Sequence, residues 1–463
     1  MRSDLDALFR PRSVALIGAS AHKGKMGNIA LANLSKGNFR LYPVNPHENR
    51  IMGLRCFSAI GEVPGTVDLA VVSLPAEASV EPTRECAKAG AKVVIVTSSG
   101  FGESGSSGER LERRLKDAIR GTDTRVLGPN TMGAFVPSSG LDTLFIPRER
   151  SARPGKGRLA LVSQSGAVSV AFMEKAEASG VGLHSSIGLG NKMDIDENDL
   201  TEYLASEDAV GCIALYLESF SDGRRFMKIC RMASRKKPIV ILKSGRTEAG
   251  SAAARSHTGA MSSQESVVEG ALRQMGVVRV FDEEELLDVA RALDYVDRIR
   301  GDRVCVVASA GGFGVIAADY IESDRHGAGL KMSKLSSQTT SALGEVVPKF
   351  SSVKNPVDLT AGVTDQMYDS VLGILERDRG IDCILMSLEL QPPNVTDRLV
   401  RVAERWGRDG KTPLVVSVFA GPETGRVVQR FSKRRIPAFP SIWRAVRAIG
   451  ALAERGSRIK MLE

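Results

Sequence analysis

Ser13-Val14-Ala15-Leu16-Ile17-Gly18-Ala19-Ser20 is an apolar run that breaks into small residues. A run apolar at every position reads as a strand buried on both faces, and the small residues after it as a turn that another group can approach closely. The same signature returns in Arg158-Leu159-Ala160-Leu161-Val162-Ser163-Gln164-Ser165 and in Arg303-Val304-Cys305-Val306-Val307-Ala308-Ser309-Ala310, at equal intervals and each time ahead of a helical pattern. Shorter apolar runs at 69–74, 93–96, 213–217, 239–242, 384–388 and 414–419 alternate with helical stretches. That alternation predicts an α/β chain built of doubly wound parallel sheets. The 463 residues accommodate about three domains at roughly 150 residues each. The divisions fall at 1–147, 148–298 and 299–463, with linkers at 148–157, rich in Arg, Pro and Gly, and at 297–302, after an amphipathic helix over 283–296.

Composition narrows the function classes. With 43% hydrophobic and 25% charged residues the chain can bury large cores, which excludes disorder and a disulfide-stapled miniprotein. Net charge is +9, mild for this length. The longest basic run, Arg235-Lys236-Lys237, has no interleaved aromatics, so nucleic-acid binding is not expected. The six cysteines form no CxxC pair and no cluster with histidine, so no metal site is expected. Several lie within apolar runs and read as reduced thiols of a cytoplasmic protein. No apolar stretch reaches membrane-spanning length and the N-terminus has no apolar signal core, so no membrane association is expected.

In the first domain, Gly18, Gly24 and Gly27 surround a strand-to-helix turn that would let backbone amides approach a phosphate. The spacing is not that of a dinucleotide fingerprint. The next strand ends in Tyr42-Pro43-Val44-Asn45-Pro46, where an NAD enzyme places an acidic residue for the ribose, which argues against a nicotinamide oxidoreductase. In the second domain, Ser163-Gln164-Ser165-Gly166-Ala167 ends a strand and opens a helix, a ready anion site. Glu218 falls on the same sheet edge. Of five histidines, His257 stands out in Gly250-Ser251-Ala252-Ala253-Ala254-Arg255-Ser256-His257-Thr258-Gly259-Ala260-Met261. This run of small residues reads as a mobile loop at the carboxyl end of a strand. Neutral imidazole there suits a phosphoryl carrier; spacing alone leaves a solvated loop histidine equally open. In the third domain, Gly311 and Gly312 open another helix with amides available to an anion.

Taken together, YPVNP at 42–46, VDLAVVSLPAE at 67–77, Ser98-Ser99-Gly100-Phe101-Gly102-Glu103 and LGPNTMG at 127–133 resemble the CoA-binding domain of the succinyl-CoA synthetase superfamily, and among its members the NDP-forming (ADP-forming) acyl-CoA synthetases. The resemblance implies an N-terminal Rossmann-like CoA-binding domain followed by two flavodoxin-like domains. It places the phosphate end of CoA on Gly18, Ser20, Lys23 and Lys25, the nucleotide on Val44, Asn45 and Pro46, pantetheine on Ser73 and Pro75, and the thiol near Ser98, Ser99 and Asn130. SHTGA at 256–260, ESF at 218–220 and SQSGAVS at 163–169 resemble the family's phosphohistidine domain. By that resemblance His257 is the phosphorylated residue and Glu218 its partner, with phosphate held by Gln164, Ser165, Gly166 and Ala167; the amides at Gly311 and Gly312 are a further candidate phosphate site from their own strand–glycine–helix pattern. The loop 187–196 resembles the segment near the acyl group, with Asn191 as its candidate; a plain connecting loop reads as well. NPVDLT at 355–360 resembles the third domain's motif, although Asp358 capping a helix accounts for it too. No P-loop and no acidic Mg²⁺ cluster occur, and nothing resembles an ATP-grasp domain. The resemblance therefore implies an ATP-grasp β subunit, an α2β2 heterotetramer, and Mg²⁺ with ADP or ATP on the partner. A non-enzymatic CoA sensor or scaffold of the same fold is the alternative. The acyl group itself is not specified by the sequence.

Overall fold

The computed structural model describes residues 5–258, 264–323 and 329–463, with the backbone alone for 254–258. The chain gathers into two units, Met1–Glu177 with Gly182–Met275, and Ala178–Val181 with Gly276–Glu463.

Among its described residues the first unit holds two large sheets and a small antiparallel pair, Arg50–Ile51 with Leu54–Arg55. In one large sheet, the strands Arg40–Val44, Ser13–Ile17, Leu69–Val72, Val93–Val96 and Arg125–Leu127 lie side by side in that order, all parallel. Pro43 is tolerated inside its strand because that strand is at the edge, where a missing N–H breaks no ladder. Ala15, Val72, Val94 and Phe101 are the centre of the core on one face. A Cβ at Gly27 would lie 2.0 Å from the Gly18 carbonyl oxygen, so only glycine lets the helix Met26–Leu34 seat on the first turn.

The other sheet of this unit carries Ile239–Lys243, Cys212–Leu217, Lys156–Ser163 and Leu183–Gly188 in that order, parallel throughout. The sequence predicts only parallel strands, but Ala134–Val136 joins Leu183–Gly188 antiparallel and pairs in turn with Leu141–Asp142. The chain thus leaves the first sheet after Leu127 and crosses to the second before the Arg/Pro/Gly-rich segment begins. Periodicity is blind to this crossing, since three-residue strands carry no period.

In the second unit, Lys331–Met332, Arg303–Ala308, Cys383–Glu389, Leu414–Phe419 and Ala438–Phe439 form a parallel sheet in that order, and Val357–Asp358 also pairs with Arg303–Ala308. Val307, Tyr368, Met386, Val416 and Phe431 lie in its core. Cys212-Ile213-Ala214-Leu215-Tyr216-Leu217-Glu218 and Cys383-Ile384-Leu385-Met386-Ser387-Leu388-Glu389 have equivalent places in the two units. Cys212 lies opposite Leu159 and Cys383 opposite Val304, so each glutamate closes the strand beside its sheet's first turn. All six cysteines are buried free thiols, in line with their apolar runs.

Candidate functional site

The first sheet ends in a cavity of about 420 Å³ lined by Gly18, Val44, Asn45, Pro46, Leu74 and Pro82 among others. It lies beyond the carboxyl ends of parallel strands, where such sheets bind ligands. Four of the residues expected to meet CoA thus share one wall. The Asn45 side chain is a strut of that wall: its Nδ2 donates to the Ala19 carbonyl at 2.8 Å and its Oδ1 accepts from His47 N at 2.9 Å. Lys23 and Lys25 are exposed on the turn ahead of the helix Met26–Leu34, which has no side-chain cap. Its first amides therefore remain open to an anion. Ser73, Pro75, Ser98, Ser99 and Asn130 follow the next three strands along the same edge, outside the cavity wall. Ser98 Oγ is buried with no hydrogen-bond partner among the described residues.

Glu218, 8% exposed, closes the strand Cys212–Leu217, and its main chain is held from three directions. Gln164 Oε1 accepts from Glu218 N at 2.9 Å and Ser219 N at 3.2 Å, while its Nε2 donates to Ser219 Oγ at 3.3 Å. Lys243 Nζ donates to the Glu218 carbonyl at 2.7 Å, and Lys192 Nζ to the Ser219 carbonyl at 2.8 Å. Lys192 also pairs with Glu197 at 3.0 Å, the two side chains being 5% and 0% exposed. Glu197 in turn accepts from Ser221 N at 2.6 Å and Ser221 Oγ at 3.1 Å. The carboxylate of Glu218 receives the Tyr216 hydroxyl at 3.5 Å.

Gln164 therefore braces the glutamate turn with the side chain that the sequence reading gives to phosphate. Ser165 opens the helix Gly166–Ala178 by accepting Val168 N at 3.4 Å, with Gly166 half-buried and Ala167 exposed beside it. Two buried ammonium groups and a helix N-terminus converge on this edge, a setting that favours an anion. Lys192, Lys243 and Glu197 are functional neighbours that sequence reasoning missed. Their only trace is a lysine closing an apolar strand and another in a loop of small residues.

His257 lies on the helix Glu248–Thr258; its side chain is outside the described residues. The sequence predicts a loop here. Alanines 252–254, the best helix formers, explain the helix, which follows the strand ending at Lys243 and packs against the 3-10 turn Gly102–Ser104. Asn191 is at a seam between the two sheets. Asn191 N donates to the Pro129 carbonyl at 2.9 Å, Met193 N to Gly128 at 3.0 Å and Ile195 N to Val126 at 3.0 Å. Gly190 has φ +60 there, and a Cβ would lie 2.1 Å from the Pro129 oxygen. Arg125 clasps Asp194 at 3.0 Å and Asp199 at 2.8 Å across the same seam.

Gly311 and Gly312 belong to the second unit. They are exposed at the start of the helix Gly311–Glu322, but a Cβ on Gly311 would lie 2.8 Å from Asp358 Oδ2. An acidic side chain of the chain itself thus faces this helix start, where negative charge is favoured. Among the described residues no group of His, Cys, Asp and Glu could hold a metal, and no helix is long and apolar enough to cross a membrane.

Three family models match in succession: a CoA binding domain over 12–137, a succinyl-CoA ligase like flavodoxin domain over 156–293 and a ligase-CoA domain over 304–459. The chain is 36% identical to the alpha subunit of ADP-forming acetate–CoA ligase I of Pyrococcus furiosus, covering 97% of each. It is 33% identical to the ADP-forming acetate–CoA ligase I of Archaeoglobus fulgidus, covering 99% of this chain and 64% of that one. The solved dinucleotide-forming acetyl-coenzyme A synthetase 1 of Ca. Korarchaeum cryptofilum, in complex with phosphate and ADP, superposes with a TM-score of 0.90 at 32% identity, over 99% of this chain and 98% of that one. With these similarities over nearly its whole length, the chain belongs to the ADP-forming acyl-CoA ligase family, as an alpha subunit of that family.

Proposed function

We propose that this chain carries the CoA-binding and phosphoryl-carrying half of the reaction acyl-CoA + ADP + phosphate ⇌ carboxylic acid + ATP + CoA. Residues 1–147 bind CoA. The nucleotide lies against Val44, Asn45 and Pro46, the phosphates at Gly18, Ser20, Lys23 and Lys25, pantetheine along Ser73 and Pro75, and the thiol near Ser98, Ser99 and Asn130. Phosphate at the helix start Ser165–Ala167 attacks the thioester carbon. The C–S bond breaks, CoA leaves as the thiol with the phosphate's proton, and an acyl phosphate remains. An imidazole nitrogen of His257 then takes the phosphoryl group, the bond to the acyl oxygen breaks, and the carboxylate departs. Glu218 orients the imidazole and offsets its positive charge.

An ATP-grasp β subunit, in an α2β2 heterotetramer, receives the group on ADP with Mg²⁺. Residues 148–298 form the phosphohistidine domain and 299–463 the second ligase domain of a cytoplasmic enzyme. The observation that carries this reading is the Glu218 turn, fixed by Gln164, Lys243 and Lys192 at the mouth of the helix Gly166–Ala178. A turn braced this heavily holds one carboxylate in a set place, which general acid–base and phosphoryl chemistry needs and a mere CoA sensor does not. In the complex with its partner, ATP is expected to leave an acid-labile phosphoryl label on the wild-type chain and none on His257→Asn, with CoA binding equal in both. Label persisting on His257→Asn contradicts the carrier role, and CoA binding without label on the wild type favours the sensor.

A further inference from the structure

Asn191 has two amide hydrogens and a carbonyl, and the fold uses all three. Its Nδ2 donates to Glu103 Oε2 at 2.6 Å and to Glu112 Oε2 at 2.9 Å, and its Oδ1 accepts from Asn130 Nδ2 at 3.3 Å. Ionised carboxylates only accept, so two of them on one side fix which way the amide faces. Asn191 therefore has no N–H left for an acyl group, unlike the role its sequence position suggests. Glu103 is itself held. Gly100 N and Phe101 N donate to its Oε1 at 2.5 and 3.3 Å. Burial pushes its carboxyl up, but the hydrogen bonds from Asn191 and these amides outweigh burial and keep it below the ordinary glutamate range. Glu112 is anchored the same way, accepting Gly102 N at 3.0 Å. Asn130 is indexed to this cluster twice, through its side chain and through the Asn191 N bond to the neighbouring Pro129 carbonyl. It adopts φ +58, a left-handed conformation that the surrounding contacts must sustain.

We propose that Glu103 and Glu112 are positioning residues of the ligase reaction. By taking both N–H groups of Asn191 they turn its carbonyl onto Asn130, and so set the second N–H of Asn130 at the thiol end of the CoA site. This rests on the reading of Asn130 as a thiol-end residue and deepens it. A donor fixed beforehand acts on the carbonyl oxygen as negative charge develops there during phosphate addition. The same cluster lies on the turn Gly102–Ser104 against which the helix of His257 packs. One amide network thus registers the thioester end of CoA with the segment that bears the carrier.

The test uses the complex of the chain with its partner and the variants Asn191→Asp, Asn191→Ala and Glu112→Gln. Aspartate has the shape of asparagine but sets a third carboxylate against two and offers them no hydrogen, whereas alanine only removes the amide. If Asn191 served to fill space, aspartate would be the milder change. The expected order is the reverse: Asn191→Asp turns over more slowly than Asn191→Ala, roughly 100-fold below wild type, with KM for CoA little changed. Glu112→Gln, which keeps an accepting oxygen, retains most of the turnover. Should Asn191→Asp lose its fold on melting, Glu112→Ala against Glu112→Gln gives the same contrast, the alanine lowering kcat and sparing KM. An Asn191→Asp enzyme as active as Asn191→Ala, or Glu112→Ala as active as Glu112→Gln, overturns the proposal while CoA binding stands. A wild-type complex that binds no CoA overturns the underlying reading and the proposal with it.

Discussion

Glu218 and Glu389 close equivalent strands, each beside the first turn of its sheet, and their neighbours hold them differently. Around Glu218 Gln164 takes two main-chain amides and Lys243 and Lys192 two carbonyls, while the Tyr216 hydroxyl donates to the carboxylate at 3.5 Å. Around Glu389 the bonds go to the carboxylate. Ser309 N at 3.0 Å and the Tyr368 hydroxyl at 3.2 Å both donate to Glu389 Oε2, and the hydroxyls of Ser309 and Ser387 donate to the carboxylate as well. Bonds to the backbone fix where a turn sits, whereas bonds to the carboxylate fix the side chain itself. The strand that follows differs too. After Ile239–Lys243 comes the helix of His257; after Leu414–Phe419 come Ala420-Gly421-Pro422-Glu423, and no histidine lies between there and the C-terminus. The two units thus share one strand–turn–helix plan and differ in what surrounds the closing glutamate.

The contrast breaks most visibly under matched substitutions. Glu218→Gln is expected to slow turnover by roughly 100- to 1,000-fold, the scale of a lost acid–base partner, with its melting temperature close to wild type. Glu389→Gln leaves turnover near wild type. Steady-state rates in the complex with the partner check both, and comparable losses at the two positions would erase the distinction.

The bracing of Glu218 is tested next. Lys192→Met leaves Glu197 buried without its cation, which costs about 3–5 kcal/mol and frees the Ser219 carbonyl, so denaturant midpoint and turnover fall together. A midpoint unchanged by the substitution would show that the pair does not hold the turn.

The smallest effect concerns pH. Burial pushes the Glu389 carboxyl above its ordinary value of 4.5, against the hydrogen bonds it accepts. The folded state then binds its proton more tightly than the unfolded chain does. The stability attached to it is complete below pH 4.5 and is lost as pH rises through the raised value. Glu389→Gln should flatten that part of the stability profile, read from melts across mildly acidic pH, and a profile identical to wild type would place the carboxyl in water.

Much of this was legible in the sequence, because buried parallel strands announce themselves as apolar runs. The strands Val93–Val96 and Leu414–Phe419 and the helix Glu283–Val296 begin and end where their patterns do. At the cavity wall, the turn at Gly18 followed from such a run, whereas Val44–Pro46 came from the resemblance that YPVNP carries. What stayed hidden depends on partners far apart in the chain. No periodicity tells that Lys192 reaches Ser219, that Asn191 is shared by Glu103 and Glu112, or that Ala134–Val136 pairs into the second sheet. The helix over Glu248–Thr258 was missed for a local reason. Its small residues read as freedom to move, although alanine is also the strongest helix former. The pairing of Glu218 with Glu389 becomes visible only when register aligns CIALYLE with CILMSLE.

The most direct measurement supplies acyl-CoA and radiolabelled phosphate to the complex with no nucleotide present, then maps the label by mass spectrometry. The account predicts acid-labile label on His257 in wild type and in Glu389→Gln, and its near absence in Glu218→Gln. Label on any residue of the second unit, or undiminished label on His257 in Glu218→Gln, would contradict it.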